Sequence, residues 1–356
     1  IGQLLLPIRN PYMSKFNLIS IDLAKNVFQV GKFFHQNLQS NKAVGRKELL
    51  TILTTSPRCK VVMESCGGAH YWARKARSVG HEVVILDPRF VKAFRVGQKT
   101  DANDVIAIAA ASFSPNVRPC KSLTQAQQSL QSIERMRALA EKQKRQLANQ
   151  IRGLLLEFGI VIKQSECAFR QAIPEILEDS DNGLTAGLRQ CLAQCYELFK
   201  AQSTLKETLN ELLTGLVKQD EQCERLLALE GVGPITAVGL LISLSDTTHF
   251  TSGRNAAANV GVTPRQHSSG GKVRIGHIAK YRGEITLRSH LFLGARAVIS
   301  QLKHREPKTK KEQWLKELVE RRGVKCAAIA LANKTVRTAY AMLKKGTSYE
   351  PSLLAN

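Results

Sequence analysis

No stretch of this chain reaches the roughly 18 consecutive apolar residues that a bilayer-spanning helix needs, which excludes a helical membrane protein. The opening IGQLLLPIRNPY carries an apolar patch but lacks the layout of a cleavable signal peptide. Eight cysteines, at positions 59, 66, 120, 167, 191, 195, 223 and 326, include no CxxC pair and no CxxC…HxxxH spacing. Neither a zinc site nor a disulfide framework is expected, and a reducing cytoplasm fits best. Cys191 and Cys195 are one helical turn apart on an apolar stripe and read as core residues. No internal repeat is apparent. Acid is scarce, with 29 Asp and Glu against 52 Lys and Arg.

What is present is a strongly basic globular chain. The formal net charge is +23 over 356 residues, and the excess runs along most of the sequence instead of forming a tail. Such a surface points first to nucleic acid, with a merely basic protein as the plain alternative. A hydrophobic fraction of 43% excludes a mainly disordered chain and leaves material for two or three cores. Residues 1 to 12 read as an appendage without function ahead of Met13-Ser14-Lys15, which looks like a natural start.

The pattern predicts an α/β region followed by an all-α remainder. Residues 16 to 34 alternate apolar and polar positions around Ala24-Lys25-Asn26, the signature of a hairpin with Asp22 ending its first strand. A third strand over 37 to 44, a helix over 46 to 54 and the buried strand CKVVMES, carrying Glu64, follow. Gly67-Gly68 break the chain before a helix over 69 to 80, and HEVVILDP is a strand closed by Pro88. A linker with Lys92, Arg95 and Lys99 leads to a helix from Asp101 to Ser112. This order predicts a layered domain with a mixed sheet over 13 to 120.

From 121 to 219 the spacing predicts two long antiparallel helices, a bundle core or a dimerisation arm. Leu130, Ile133, Ala140, Leu147, Ile151 and Leu154 form a heptad series that Arg137 and Lys144 interrupt. Leu188, Cys195, Leu198, Leu205, Leu209, Leu212 and Leu216 form a cleaner one. The region from 220 to 356 is mainly helical. Gly231 and Gly233 lie between two apolar helical segments, as in a helix-hairpin-helix whose backbone N–H groups approach a phosphate; a tight turn between core helices is the plain reading. A polar, basic, glycine-studded segment spans 253 to 288, and helices are expected at 286–302, 311–320 and 326–344.

Asp22, Glu64, Asp101 and Asp104 are the candidate site. Two-metal hydrolysis of a phosphodiester needs several acidic oxygens converging on one place, and carboxylate oxygens suit Mg2+. Asp22 and Glu64 become neighbours if their strands pair, and Asp101 and Asp104 share one helix face. Taken singly, each has a structural reading: strand ends for the first two, an N-cap and a dipole-favoured position for the others. The second constellation is Arg265-Gln266-His267-Ser268-Ser269-Gly270-Gly271-Lys272-Val273-Arg274. It supplies hydroxyls, flexible glycines and cations, and reads more readily as a phosphate-gripping loop than as a nucleophile loop, with His267 a conceivable base. Lys280, Arg282 and Arg288 extend the same basic surface.

The motifs ISIDLAK, VVMESCGG, KTDANDVIAIA, LEGVGPITA and GVTPRQHSSGGKVRIGHIAKYRGEITLR occur in order. The chain in this respect resembles, from about Lys15 to Tyr349, the insertion-sequence transposases that join an N-terminal RuvC-like DEDD domain to a C-terminal serine domain. That family includes bridge-RNA-guided recombinases and DNA invertases. The resemblance implies an RNase H-like domain whose Asp22, Glu64, Asp101 and Asp104 bind Mg2+. It also implies a serine nucleophile at Ser269, with Ser268 its neighbour, acting on DNA. Assembly into dimers or tetramers through helical arms and a structured guide RNA are implied too. A Holliday-junction-type nuclease, or a nucleic-acid-binding protein without catalysis, are the alternatives.

Overall fold

The alternating pattern of residues 16 to 34 folds as β1 (Leu18–Leu23) and β2 (Val27–Phe34), antiparallel across the turn at Ala24-Lys25-Asn26. β3 (Asn37–Gly45) extends the meander and runs directly into α1 (Arg46–Thr55). β4 (Lys60–Glu64), α2 (Ala69–Ser78) and β5 (Glu82–Leu86) follow, with β4 parallel to both β1 and β5. Parallel neighbours need a crossover, and α2 supplies the one between β4 and β5. α3 (Pro88–Val91) and a 3-10 turn at Lys92–Phe94 occupy what the sequence reads as a linker. The signal is local: Asp87 accepts the Arg89 N–H as N-cap, and Pro88 fills the first helical position. α4 (Asp101–Phe113) and the short β6 (Pro119–Cys120) complete a sheet of order β3-β2-β1-β4-β5-β6. This mixed α/β arrangement is consistent with an RNase H-like domain.

The computed structural model describes residues 17–117, 119–244, 246–279 and 283–352. The proposed appendage at 1 to 12, the start at Met13, and Lys280 and Arg282 lie outside the described residues. The chain divides into two compact units, one ending at Gln125 and one beginning at Ala126. In the first, both sheet faces are covered, so the central strands are apolar on both sides. Ile21, Met63 and Ile85 pack with Trp72 of α2 and Leu49 of α1. Leu18, Val62 and Leu86 pack with Val105 and Ile108 of α4.

The second unit contains α5 (Gln125–Leu156), α6 (Glu166–Glu178) and α7 (Ala186–Gln219). Arg137 and Lys144 do not interrupt the α5 seam: they are buried in it, 7% and 5% exposed. Lys144 is paired with Glu166 at 2.7 Å and Glu141 at 3.3 Å, and Arg137 with Glu134 at 3.6 Å, which makes their burial tolerable. On α7 the buried line runs through Leu192, Phe199, Leu213 and Val217, so three members of the expected series, Leu198, Leu205 and Leu212, face outward. For the same reason the two core cysteines are a correction: Cys191 is exposed and Cys195 only partly covered. The connection expected between the long helices contains α6, with Pro174 inside it.

Beyond these helices lie α8 (Glu221–Leu227), α9 (Pro234–Leu244) and α10 (Gly253–Val260). The segment expected to be irregular then forms a two-stranded ribbon, β7 (Pro264–Ser269) and β8 (Lys272–Ile278). α11 (Ile285–Gln301) and α12 (Lys310–Lys345) close the chain. α12 breaks at Gly323, whose φ of 78° and ψ of 164° only glycine adopts readily, and its halves fold back on one another. Lys334 Nζ of one half thus sits 3.9 Å from the Trp314 ring centre of the other. The bases of the arm helices, through Leu130, Leu213 and Val217, share one core with Leu226, Val238, Leu241 and Val336. Among the described residues no helix is long and apolar enough to cross a membrane.

Candidate functional site

Asp22 and Glu64 are brought together by strand register. β1 and β4 pair in parallel up to Ile21 opposite Met63, so the next residue of each strand is a carboxylate at its carboxyl end. Side chains alternate across a strand, which places Asp22 and Glu64 on the face of Ser20 and Val62, the face that α4 covers. Three anchors hold α4 there. The buried Ser20 Oγ donates to the Val105 carbonyl at 2.8 Å. Gln29 Nε2 donates to Asn41 Oδ1 at 2.7 Å, and Asn41 Nδ2 in turn donates to the Ala102 carbonyl at 3.0 Å. Gly31 has no side chain to intervene, since a Cβ there would come within 2.4 Å of Val105 Cγ1.

The first turn of α4 therefore carries Asp101 and Asp104 to the same edge. The N-cap is Thr100, whose Oγ1 accepts the Asn103 N–H at 3.3 Å, and not Asp101. Asp101 is the first helical residue, and its capping explanation falls away. Asp104 accepts from Arg95 Nη1 at 3.3 Å. Burial raises the Asp22 pKa first, followed by the charges of Asp104 and Asp101; the Leu23 amide and Lys99 oppose the rise. Glu64 is raised likewise, by burial and then by Asp22, Asp104 and Asp87, against Arg95. The four acids thus feel one another.

Sequence reading missed Arg95, Asp87, Gly31 and the Gln29–Asn41 chain. Asp87 differs in kind, because its hydrogen bonds with Arg89 hold its carboxyl below the ordinary range. A hard divalent cation fits the donor chemistry: carboxylate oxygens at one edge, with Asp22 and Glu64 raised first by burial and then by neighbouring acids. Among the described residues no three His, Cys, Asp or Glu side chains stand close enough to hold a metal ion as they are.

The serine segment is a ribbon, with Ser269 opposite Lys272 beside the Gly270-Gly271 turn. Register sorts its residues into two faces. His267, Ser269, Lys272 and Arg274 share one, while Gln266, Ser268, Val273 and Ile275 share the other. Ser268 accepts a hydrogen bond from Gln266 Nε2 at 3.1 Å, and Val273 and Ile275 are 59% and 75% exposed. Arg265, Lys272 and Arg274 are exposed as expected of phosphate contacts, as is Lys99. Arg288 instead ties down the ribbon's root, donating to the Ala279 carbonyl at 2.7 Å. The two glycines of the 231–233 turn also separate. Gly231, with φ +76°, packs against the backbone of Gly294 on α11, where a Cβ would come within 2.7 Å, whereas nothing lies within 4 Å of a Cβ at Gly233.

Comparison with known proteins decides the family. Residues 223–312 match the profile described as "Transposase IS116/IS110/IS902 family", and residues 23–160 match the DEDD transposase profile of IS110 elements, described as "Transposase". A "Probable family 20 transposase" of Pseudomonas aeruginosa is 37% identical, covering 94% of this chain and 98% of the relative. The chain belongs to the IS110/IS116 transposase family. The "Transposase for insertion sequence element IS1111A" of Coxiella burnetii is 34% identical across 96% of this chain and 93% of its own. A "Pilin gene-inverting protein" of Moraxella bovis is 23% identical over 95% of this chain. Membership makes the chain a DNA transposase, an enzyme of recombination. The DEDD match contains Glu64, Asp101 and Asp104 and begins one residue after Asp22, and the second match contains the ribbon.

Proposed function

We propose that this transposase excises and inserts an insertion sequence by strand exchange through a serine–DNA intermediate. Asp22, Glu64, Asp101 and Asp104 are its Mg2+ site and Ser269 its nucleophile. The observation that carries the reading is the convergence of the four acids at one sheet edge, on strands and a helix locked by buried contacts. When bound there, Mg2+ supplies Lewis-acid stabilisation of a phosphoryl group. The four carboxylates would hold that ion. The Ser269 hydroxyl gives up its proton, and its oxygen bonds to phosphorus as a deoxyribose oxygen leaves. His267, two residues away on the same ribbon face, takes the proton, while Lys272 and Arg274 offset the phosphate charge.

Face sorting favours Ser269 over Ser268, because only Ser269 lies among these cations. Arg265, Lys99 and the open Gly233 turn serve as backbone contacts, and Lys280 and Arg282 extend that set. Leu198, Leu205 and Leu212 form an outward stripe at seven-residue spacing on α7, which supports assembly of a dimer or tetramer through the arm. The net charge of +23, spread along most of the chain, is compatible with a structured guide RNA as second partner.

The test is a suicide DNA substrate that traps covalent protein. The parent and Ser268→Ala form an adduct and Ser269→Ala does not. Strand exchange without any adduct would instead establish the second reading, favoured by the DEDD match, in which the acids alone activate the attacking oxygen and the ribbon only grips DNA.

A further inference from the structure

We propose that the exposed face of α2, headed by Tyr71, is a stacking platform for an unpaired nucleobase of the strand passing the carboxylate edge. Arg46 and Lys75 receive its flanking phosphates. The proposal rests on reading that edge as a phosphodiester site. The helix AHYWARKARS contains three cationic residues and no acid. Its inner side buries Ala69, Trp72, Ala73 and Ala76, which leaves Tyr71 and Lys75, one turn apart, on the outer side.

Tyr71 is 41% exposed. Its plane is fixed by a T-shaped contact with Trp72, 5.3 Å between centroids at 82°. The Arg46 guanidinium carbon lies 5.9 Å from the Tyr71 ring centre and 5.3 Å from that of Trp72, and Lys75 Nζ lies 5.9 Å from Tyr71. These separations are at the outer limit of a cation–π contact, and at 41% exposure part of the Tyr71 ring stays open beside the two cations. Arg46 Nη1 also donates to the Lys25 carbonyl at 3.2 Å. Lys25 lies three residues beyond Asp22, at most about 11 Å of chain, so Arg46 sits at the same end of β1 as the acids, with α2 on the sheet face opposite α4. An exposed aromatic between cations, on a helix face without acids, is complementary to a single strand, because every base offers a π face and every linkage a charge. The same density of cations disfavours an apolar protein partner.

The experiment uses the full-length protein in EDTA, so that binding is read without the metal site. Single-stranded DNA and RNA of one sequence are compared by fluorescence anisotropy, each with an internal 2-aminopurine. Tyr71→Ala is expected to weaken binding roughly tenfold and to abolish the change in 2-aminopurine emission, while Tyr71→Phe keeps both. Lys75→Ala is expected to lower the salt slope by about 0.7. The strand is the DNA at that edge, so the loss is expected with DNA, and a loss confined to RNA overturns the proposal. Parent-like affinity and emission in a Tyr71→Ala protein of unchanged melting temperature overturn the proposal. Asp22→Asn separates the two readings: inactive Asp22→Asn with parent-like Tyr71→Ala binding sinks only the platform, and active Asp22→Asn with impaired Tyr71→Ala binding sinks only the phosphodiester site.

Discussion

Asp22 and Glu64 end strands whose interiors are almost wholly buried, and α4 is held over them by a buried hydroxyl, an amide chain and a missing side chain at Gly31. Ser269 ends a strand in which every residue is exposed, on a two-stranded ribbon tied down at its root by Arg288. A two-stranded hairpin is marginal by itself. The contrast shows two ways to place candidate groups. Carboxylates that repel one another must be held by a rigid frame, since each would otherwise turn to solvent. A hydroxyl among cations carries no such conflict and can sit on a support that what it binds completes.

The comparison can be broken at several points. The largest effect is expected from Asp22→Asn, which should cut strand transfer by about two to three orders of magnitude while DNA binding persists, read side by side in a transfer assay and a filter-binding assay. Next comes Gly31→Val, which forces α4 off the sheet although it touches no acid. It should cost about 1–3 kcal/mol in chemical denaturation and reduce transfer as well. Parent-like activity in this variant would mean that the frame matters less than claimed. On the ribbon, the pair Lys272→Ala and Arg274→Ala should leave stability unchanged and lower the salt slope for duplex DNA by about 1.8.

The smallest effect concerns pH. Hydrogen bonding from Arg305 depresses the Glu312 pKa below its ordinary 4.5, helped by the Lys308 and Thr309 amides. A depressed carboxylate contributes stability that is present above 4.5 and lost as pH falls through its folded value. Glu312→Gln should therefore differ most from the parent near neutrality and converge with it in acid, in melting curves across pH.

Much of the first unit was legible from sequence because its signals are local. Period-two alternation marked β1 and β2, Gly67-Gly68 marked the break before α2, and Asp101 and Asp104 marked the start of α4. The same local reading failed on the long helices. Seven-residue spacing identifies an amphipathic helix but leaves open which neighbouring line is buried. On α7 that choice fell on Leu192 and Phe199, where Phe169 of α6 packs. The ribbon escaped because β7 does not alternate apolar with polar residues and the alternation of Lys272 to Ile275 in β8 buries no face; its order comes from cross-strand pairing around Gly270-Gly271.

By itself the sequence determined most elements of the first unit, the excess of positive charge and, through its ordered motifs, the family. Only the tertiary structure decided that Asp22 and Glu64 are neighbours, that Arg95 lies against Asp104, that Gly231 packs on Gly294 while Gly233 stays open, and that Ser269 and not Ser268 faces Lys272 and Arg274. The physical reason is common to all four. Hydrogen bonding and backbone sterics act over a few residues and can be read from them, whereas strand register and helix rotation are fixed by packing between segments far apart in the chain.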